Sequence, residues 1–293
     1  MKITTIGIDL AKEVFQVHGV DAYGKAVLRK QLRRGEMADA EAICEAVGRP
    51  NMRFVPMKNV EQQAILSVHR ARQGFVKART AQANQMRGLL SEFGIVIPKG
   101  ITSIPKRMND ILEDGENGLP GTMRQLLQRL YDHFKELSRQ VQELELQIKQ
   151  WHQENEASKK LAAIPGIGPI TASAIVATVG NATEFKNGRQ LAAWIGLVPK
   201  QHSSGGKQTL LGISKRGDTY LRTLLIHGAR AVIRFAEKKA EPDSWLSKLM
   251  ARRNKNIAAV ALANKNVRII WALLTKGGTF RPDHTTAACA AAA

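Results

Sequence analysis

Two adjacent serines, Ser203 and Ser204, stand in the stretch KQHSSGGKQ, with Lys200 and Lys207 on either side. A serine hydroxyl among cations can attack a phosphodiester, because positive charge stabilises the pentavalent phosphorus and lowers the hydroxyl's pKa. An SSGG stretch is also an ordinary turn, so spacing alone leaves both readings open. Downstream, Lys215, Arg216, Arg222 and Arg230 gather around the start of a helix read over Tyr220–Arg234. A second chemistry begins at Asp9 in TIGIDL, where an apolar strand ends on a carboxylate. A divalent metal needs roughly three or four carboxylates converging on one point, so Asp9 alone calls for companions. A third candidate is PGIGP (165–169) between two short apolar helices. Gly166 and Gly168 there fit a helix-hairpin-helix turn that offers backbone N–H groups to a phosphate. They equally fit a plain helical hairpin.

These residues need elements to hold them. Ile3–Ile8, Val14–Gly19 and Ala26–Leu32 are strand-like runs, predicting a three-stranded antiparallel meander. DAYGK (21–25) is its second turn, with Gly24 at positive φ. ADAEAICEAVG (38–48) reads as a short helix, and RPNMRFVP (49–56) as one more short strand. Val60–Phe93 lacks proline and is rich in Ala, Gln, Arg and Leu, which predicts a long helix. GIVIPKGITSIP (94–105) breaks it, and a second long helix runs over Gly121–Gln153. Its apolar residues are Met123, Leu127, Leu130, Phe134, Leu137, Val141, Leu144, Ile148 and Trp151. They advance in alternating steps of 4 and 3, a heptad seam that predicts a coiled coil. Its partner is the first long helix folded back, another protomer, or both. On that first helix Arg70, Lys77 and Asn84 are seven apart, as are Arg72 and Arg79. Such a row fits a phosphate backbone or a solvated face.

The C-terminal part reads as helices joined by a pliable loop. VPKQHSSGGKQTLLGISKRGD is the loop, with Gly205, Gly206, Gly212 and Gly217 giving it freedom; residues 245–276 are a basic helix pair. The fold class is α+β, mostly α: a β-meander, long coiled-coil helices, and an all-helical C-terminal domain with a helix-hairpin-helix-like element. The expected divisions are residues 1–56, a helical arm over 57–155, a C-terminal domain over 156–285, and a disordered tail over 286–293.

Charge narrows the function. The 293 residues carry 44 Lys+Arg against 25 Asp+Glu, a net +19, with a pI near 10.2. Such a field favours polyanions, nucleic acid first. The charge is concentrated: residues 200–293 hold 17 basic and 5 acidic side chains, whereas 105–160 hold 9 and 10. Residues 105–160 are thus an electrically neutral spacer beside a basic C-terminal part, with a second basic stretch near residues 70–87. Cys44 and Cys289 show no metal-ligand spacing and are expected to be free thiols in a reducing cytoplasm. No apolar run reaches membrane-spanning length by inspection, and no membrane partner is expected.

Several stretches in order, ITTIGIDLAKEVFQVHGVD, ADAEAICEAV, IPGIGPITASAIVATVG, LAAWIGLVPKQHSSGGK and LGISKRGDTYLRTLLIHGARAV, carry a resemblance. The chain resembles the bridge-RNA-guided insertion-sequence transposases, which have an N-terminal RuvC-like DEDD domain and a C-terminal serine-bearing domain. The resemblance covers nearly the whole chain. It implies a DNA-transposing recombinase with DNA ends and target as partners, a structured guide RNA, Mg²⁺ as cofactor, and self-association through the coiled-coil arm. It also implies a bacterial cytoplasmic enzyme, on the nucleoid when bound to DNA. By this likeness Asp9 is the first acid and Asp39 the last, while Ser204, with Ser203 as neighbour, matches the nucleophile. Lys207, Lys215, Arg216, Arg222, Arg70, Lys77, Gly166 and Gly168 are the expected nucleic-acid contacts. One departure stands out. The family has several tens of residues between the third strand and the ADAEA helix, carrying the second and third acids. Here QLRRGEM runs directly into ADAEAI. The second acid has no counterpart; Glu36, three residues before Asp39, lies where the third acid would be, which reads as an accident of the junction with its carboxylate as a partial substitute. The N-terminal domain is therefore read as a truncated, RNase-H-like meander, and an inactive relative that only binds nucleic acid and oligomerises is the alternative function.

Overall fold

The computed structural model describes residues 5–10, 15–30, 45, 58–204, 207–239 and 244–281. The predicted strand over 49–56 and the tail over 286–293 lie outside them, as does the 38–48 helix apart from Glu45. The chain divides into two compact units, Met1–Met57 and Lys58–Ala293.

In the first unit β1 (Thr5–Leu10), β2 (Phe15–Val20) and β3 (Ala26–Lys30) form an antiparallel sheet in that order. Asp9 stands opposite Gln16 in the β1–β2 register. The second turn needs Gly24, whose φ is +79°. The Asp21 carboxylate accepts from the Tyr23 and Lys25 N–H groups at 2.9 and 3.0 Å and closes the turn.

The second unit opens with α1 (Val60–Ser91). Asn59 starts it with a reciprocal cap: its side chain accepts from the Gln62 N–H at 2.7 Å, and the Gln62 side chain accepts from the Asn59 N–H at 3.1 Å. A short α2 (Ser103–Glu113) follows where the sequence predicts only a break. Pro105 sits in its first turn, where a missing N–H costs nothing. Then α3 (Gly121–Glu154) runs back along α1. Antiparallel pairing shows in the contacts: Ile65 clusters with Ile148, Arg72 pairs with Glu145, Gln82 bonds His133, and Met86 and Leu90 cluster with Met123 and Leu127.

The heptad seam of α3 is buried within the chain, against α1 and α2. Met123, Leu127, Phe134, Leu137, Val141 and Ile148 are buried, and Leu130, Leu144 and Trp151 half-buried. Tyr131 joins them, and its neighbour Leu130 is displaced toward the edge. The Arg124 guanidinium ties the far end by donating to the carbonyls of Ile111, Leu112 and Leu119 and to Asn117 Oδ1.

The C-terminal core comprises α4 (Glu156–Ala162), α5 (Pro169–Val179), α6 (Gly188–Ile195), α7 (Thr219–Lys239), α8 (Trp245–Arg252) and α9 (Lys255–Lys276). α9 is long and apolar enough to cross a bilayer by length and composition, contrary to the reading from sequence. Here it is the core helix, burying Ala258, Ala259, Leu262, Ala263, Val267 and Ile270 among the other helices. The expectation of an all-helical domain is corrected. The stretch read as a pliable loop forms a two-stranded antiparallel hairpin, β4 (Pro199–Ser204) and β5 (Lys207–Ile213). Its two-residue Gly–Gly connection is the sequence signature of such a turn. The arm and core share packing: Ile65 and Ile148 of the arm cluster with Ala177 of α5.

Candidate functional site

The hairpin register sorts the two serines. Ser204 pairs with Lys207, Ser203 with Gln208, and His202 with Thr209. Residues opposite one another share a face, and residues two apart on a strand share a face. Positions 202, 204, 207 and 209 therefore lie on one face of the hairpin, and 203 and 208 on the other. His202 is exposed and is a functional candidate the sequence reading missed; its signal was the i, i+2 spacing to Ser204 within a strand. That spacing meant nothing while the segment was read as a loop.

At the hairpin base the chain makes a tight turn into α7. The Ser214 N–H donates to the Val198 carbonyl at 2.8 Å and the Lys215 N–H to that of Gly196 at 3.2 Å. Lys215 and Arg216 are exposed. Arg222, expected on the nucleic-acid surface, is instead only 8% exposed. Its guanidinium donates to the carbonyls of Ile195 and Arg216 at 3.0 and 3.1 Å and to Thr219 Oγ1 at 3.1 Å. Every one of these partners is internal, so Arg222 is a brace and leaves the contact set. Gly217, expected to loosen the segment, does the opposite: a Cβ there would lie 1.8 Å from the Trp194 carbonyl oxygen.

PGIGP forms the turn between α4 and α5, but Gly166 is occupied. Its φ is +85°, and a Cβ on it would lie 2.8 Å from the Gly228 carbonyl oxygen of α7. Its close approach is made to this protein's own backbone, so it too is corrected from phosphate contact to packing residue. The buried Asn266 side chain supports the same turn by donating to the Pro165 carbonyl at 2.9 Å. Gly168 is exposed and caps α5, with Pro169 at the first helical position.

The two basic rows of α1 have separate fates. Arg70, Lys77 and Asn84 are exposed on one face. Arg72 is half-buried and pairs with Glu145 at 2.6 Å. Arg87 donates to the carbonyls of Pro98 and Gly100. Between the arm and α7 lies a buried polar cluster that sequence reasoning did not find. His69, 1% exposed, bridges Tyr220 Oη at 3.0 Å and Ser173 Oγ at 3.1 Å. Ser173 Oγ also donates to the Pro169 carbonyl at 2.7 Å. Burial, helped by the nearby Arg72 charge, holds the His69 imidazole down to a pKa of about 4. The three residues come from α1, α5 and α7, so no local pattern announces them.

The acids are placed less fully. Asp9 is on β1, whereas Glu36 and Asp39 lie outside the described residues. Among the described residues no group of three or more His, Cys, Asp or Glu side chains could hold a metal ion.

Known proteins are similar to this chain over almost its whole length. A probable family 20 transposase of Pseudomonas aeruginosa is 43% identical, over 96% of this chain and all of that protein. The transposase for insertion sequence element IS1111A of Coxiella burnetii is 38% identical, over 95% of this chain and 92% of its own length. The chain belongs to the IS116/IS110/IS902 transposase family. The family's sequence profile, Transposase IS116/IS110/IS902, matches residues 158–243. That segment runs from α4 through α7 and contains both the serine hairpin and the turn after it. The transposase for element IS1328 of Yersinia enterocolitica, 35% identical over 95% of this chain, extends the same relation. The alignment with the Pseudomonas family member spans 337 positions, more than the 293 residues of this chain. That relative therefore holds residues without counterpart here.

Proposed function

We propose that this chain is the transposase of an insertion sequence and that it cleaves and rejoins DNA through a covalent bond between Ser204 and a DNA phosphate. The observation that carries the reading is the hairpin register, which sets Ser204 opposite Lys207 inside the segment the family profile matches. The relatives' names as transposases support the same activity. In the reaction Ser204 Oγ loses its proton and bonds to phosphorus, while the bond from phosphorus to one sugar oxygen breaks. That oxygen leaves as a hydroxyl. A hydroxyl from the second strand then attacks the same phosphorus, releases Ser204 and restores the phosphodiester. Lys207 supplies positive charge beside the pentavalent phosphorus.

Lys215 and Arg216, the exposed Arg70 and Lys77, and the Gly168 end of α5 are the nucleic-acid contacts of this reading. The net charge of +19 supports a polyanionic partner, and both DNA and a structured guide RNA fit that charge. The antiparallel order β1-β2-β3 supports a RuvC-like origin for the first unit. Asp9, Glu36 and Asp39 would supply its Mg²⁺ ligands. Three acids without the second member of the family's set fit a metal pair poorly, so no step here passes through metal. Self-association through the coiled-coil arm has support from apolar side chains left outside its buried seam: Leu126, Phe93 and Val96 are 42%, 42% and 76% exposed.

A second reading is favoured by one specific observation, the excess length of the aligned Pseudomonas relative. It makes this chain a relative that binds nucleic acid without joining strands. One assay separates the two: the purified chain is mixed with DNA flanking its gene, its transcript and Mg²⁺, then denatured and scored for protein–DNA adduct. The strand-joining reading expects an adduct with the parent chain and with Ser203→Ala, none with Ser204→Ala, and equal binding by all three. Binding without adduct in every case would establish the second reading.

A further inference from the structure

Lys215 and Arg216 sit on a turn locked from three directions. Lys215 is the one non-glycine with positive φ among the described residues, at +55°. That backbone region is unfavourable for a lysine and persists only where surrounding structure imposes it. Here the imposition is visible. Gly196 and Arg216 approach so closely that a Cβ on Gly196 would lie 2.0 Å from the Arg216 carbonyl oxygen. Gly217 meets the Trp194 carbonyl in the same way. The buried Arg222 guanidinium grips the Ile195 and Arg216 carbonyls from below, and the Asp218 carboxylate accepts from the Leu221 N–H at 2.9 Å to start α7. The backbone is thus fixed, while the side chains of Lys215 and Arg216 remain exposed. Two cations are held in advance on a rigid mount, and nothing inside the protein pairs with them in the described contacts.

Their distance from the hairpin tip decides what they can do. The ladder runs from Ser204 opposite Lys207 at the tip to Pro199 opposite Ile213, and continues through the Ser214–Val198 bond. At about 3.3 Å per residue, the six steps from position 198 to 204 put the turn about 20 Å from the tip. That exceeds the Debye length of about 8 Å at physiological salt. Charges so far away do little for a pentavalent phosphorus at Ser204.

We infer that the Lys215–Arg216 turn is a rigid phosphate clamp that grips the same nucleic acid about six base steps from the phosphate at Ser204. The step count follows from the axial rise of about 3.4 Å per nucleotide. The spacing rests on the reading of Ser204 given above; the clamp itself does not. Arg222 is its positioning residue, touching no phosphate and setting the height of the turn.

The test uses the full chain and a duplex of the DNA flanking its gene, with phosphates replaced one at a time by neutral methylphosphonates. A photo-reactive residue in place of Thr209, on the Ser204 face of the hairpin, marks the nucleotide nearest the hairpin tip. Binding by the parent chain is expected to weaken at one or two neutralised phosphates to which Lys215→Ala/Arg216→Ala is indifferent. These should lie about five to seven steps from the cross-linked nucleotide. The double variant should also bind about tenfold more weakly, with a salt slope shallower by about 2. Arg222→Lys keeps the charge and loses the forked grip. It should reproduce part of the binding loss, with folding checked by near-UV circular dichroism. An unchanged salt slope in the double variant would overturn the clamp. Sensitive phosphates within two steps of the cross-link would instead place the turn in the reaction centre. An adduct that survives Ser204→Ala, with the clamp phosphates still mapped, would overturn only the assignment of Ser204.

Discussion

The arm and the C-terminal core are both helical, yet different contacts hold them together. In the arm, side chains meet side chains along a seven-residue repeat, as Leu127 and Phe134 do against α1 and α2. In the core, backbone meets backbone at glycines: Gly166 against Gly228, Gly196 against Arg216, Gly217 against Trp194. The first kind of contact yields gradually when a side chain shrinks. The second has no room to yield when one grows. The repetitive arm is accordingly the permissive region, and the basic core the exacting one.

Substitutions can break or sharpen that contrast. The largest effect is expected at Gly217→Ala, where positive φ and a carbonyl within bonding distance oppose the new methyl together. A loss above about 4 kcal/mol, or no soluble protein, should show in urea unfolding. A mild effect there would dissolve the contrast. Next comes Leu127→Ala in the arm, expected to cost about 3 kcal/mol because the side chain is fully buried. His69→Phe stands at the boundary of the two regions. It leaves Tyr220 Oη without its histidine partner and should cost about 2 kcal/mol. The same residue gives a pH dependence. Its folded pKa of about 4 lies below the ordinary imidazole value of 6.5, so the unfolded chain binds more protons between those values. Stability should be full above pH 6.5 and fall as pH drops toward 4, by up to about 3 kcal/mol. His69→Phe should flatten that part of the profile. The smallest effect is expected at Arg139→Ala on the arm surface. Its pairs with Glu136 and Glu143 are on the exposed surface, and the melting temperature should not move.

What could be read from sequence follows the same division. The arm was legible, because a heptad seam repeats locally and Met123 through Ile148 announce their own burial. The meander was legible from alternation and from Gly24. The exceptions are instructive. α2 was hidden by Pro105, a residue that disfavours helix interiors but not first turns. The serine hairpin was hidden by its composition: Ser, Gly, Lys and Gln read as a loop, while the Gly–Gly pair between two runs was the overlooked signal. Arg222 carries the same charge as its neighbours, and only its burial distinguishes a brace from a contact. His69, Ser173 and Tyr220 lie more than a hundred residues apart in part, and nothing in any one window links them.

The antiparallel path of α1 and α3 has one further consequence. The chain leaves the core at residue 60 and re-enters it near 154, so the arm is a closed excursion whose two sides keep step. Deleting seven residues from one side alone would shear every layer above the cut. Deleting seven from both would return the remaining layers to register and draw the tip in by about 10 Å. The arm is in this sense a graduated ruler, with the heptad as its unit, and the reach of the protein beyond its core is a whole number that evolution or an experimenter can change.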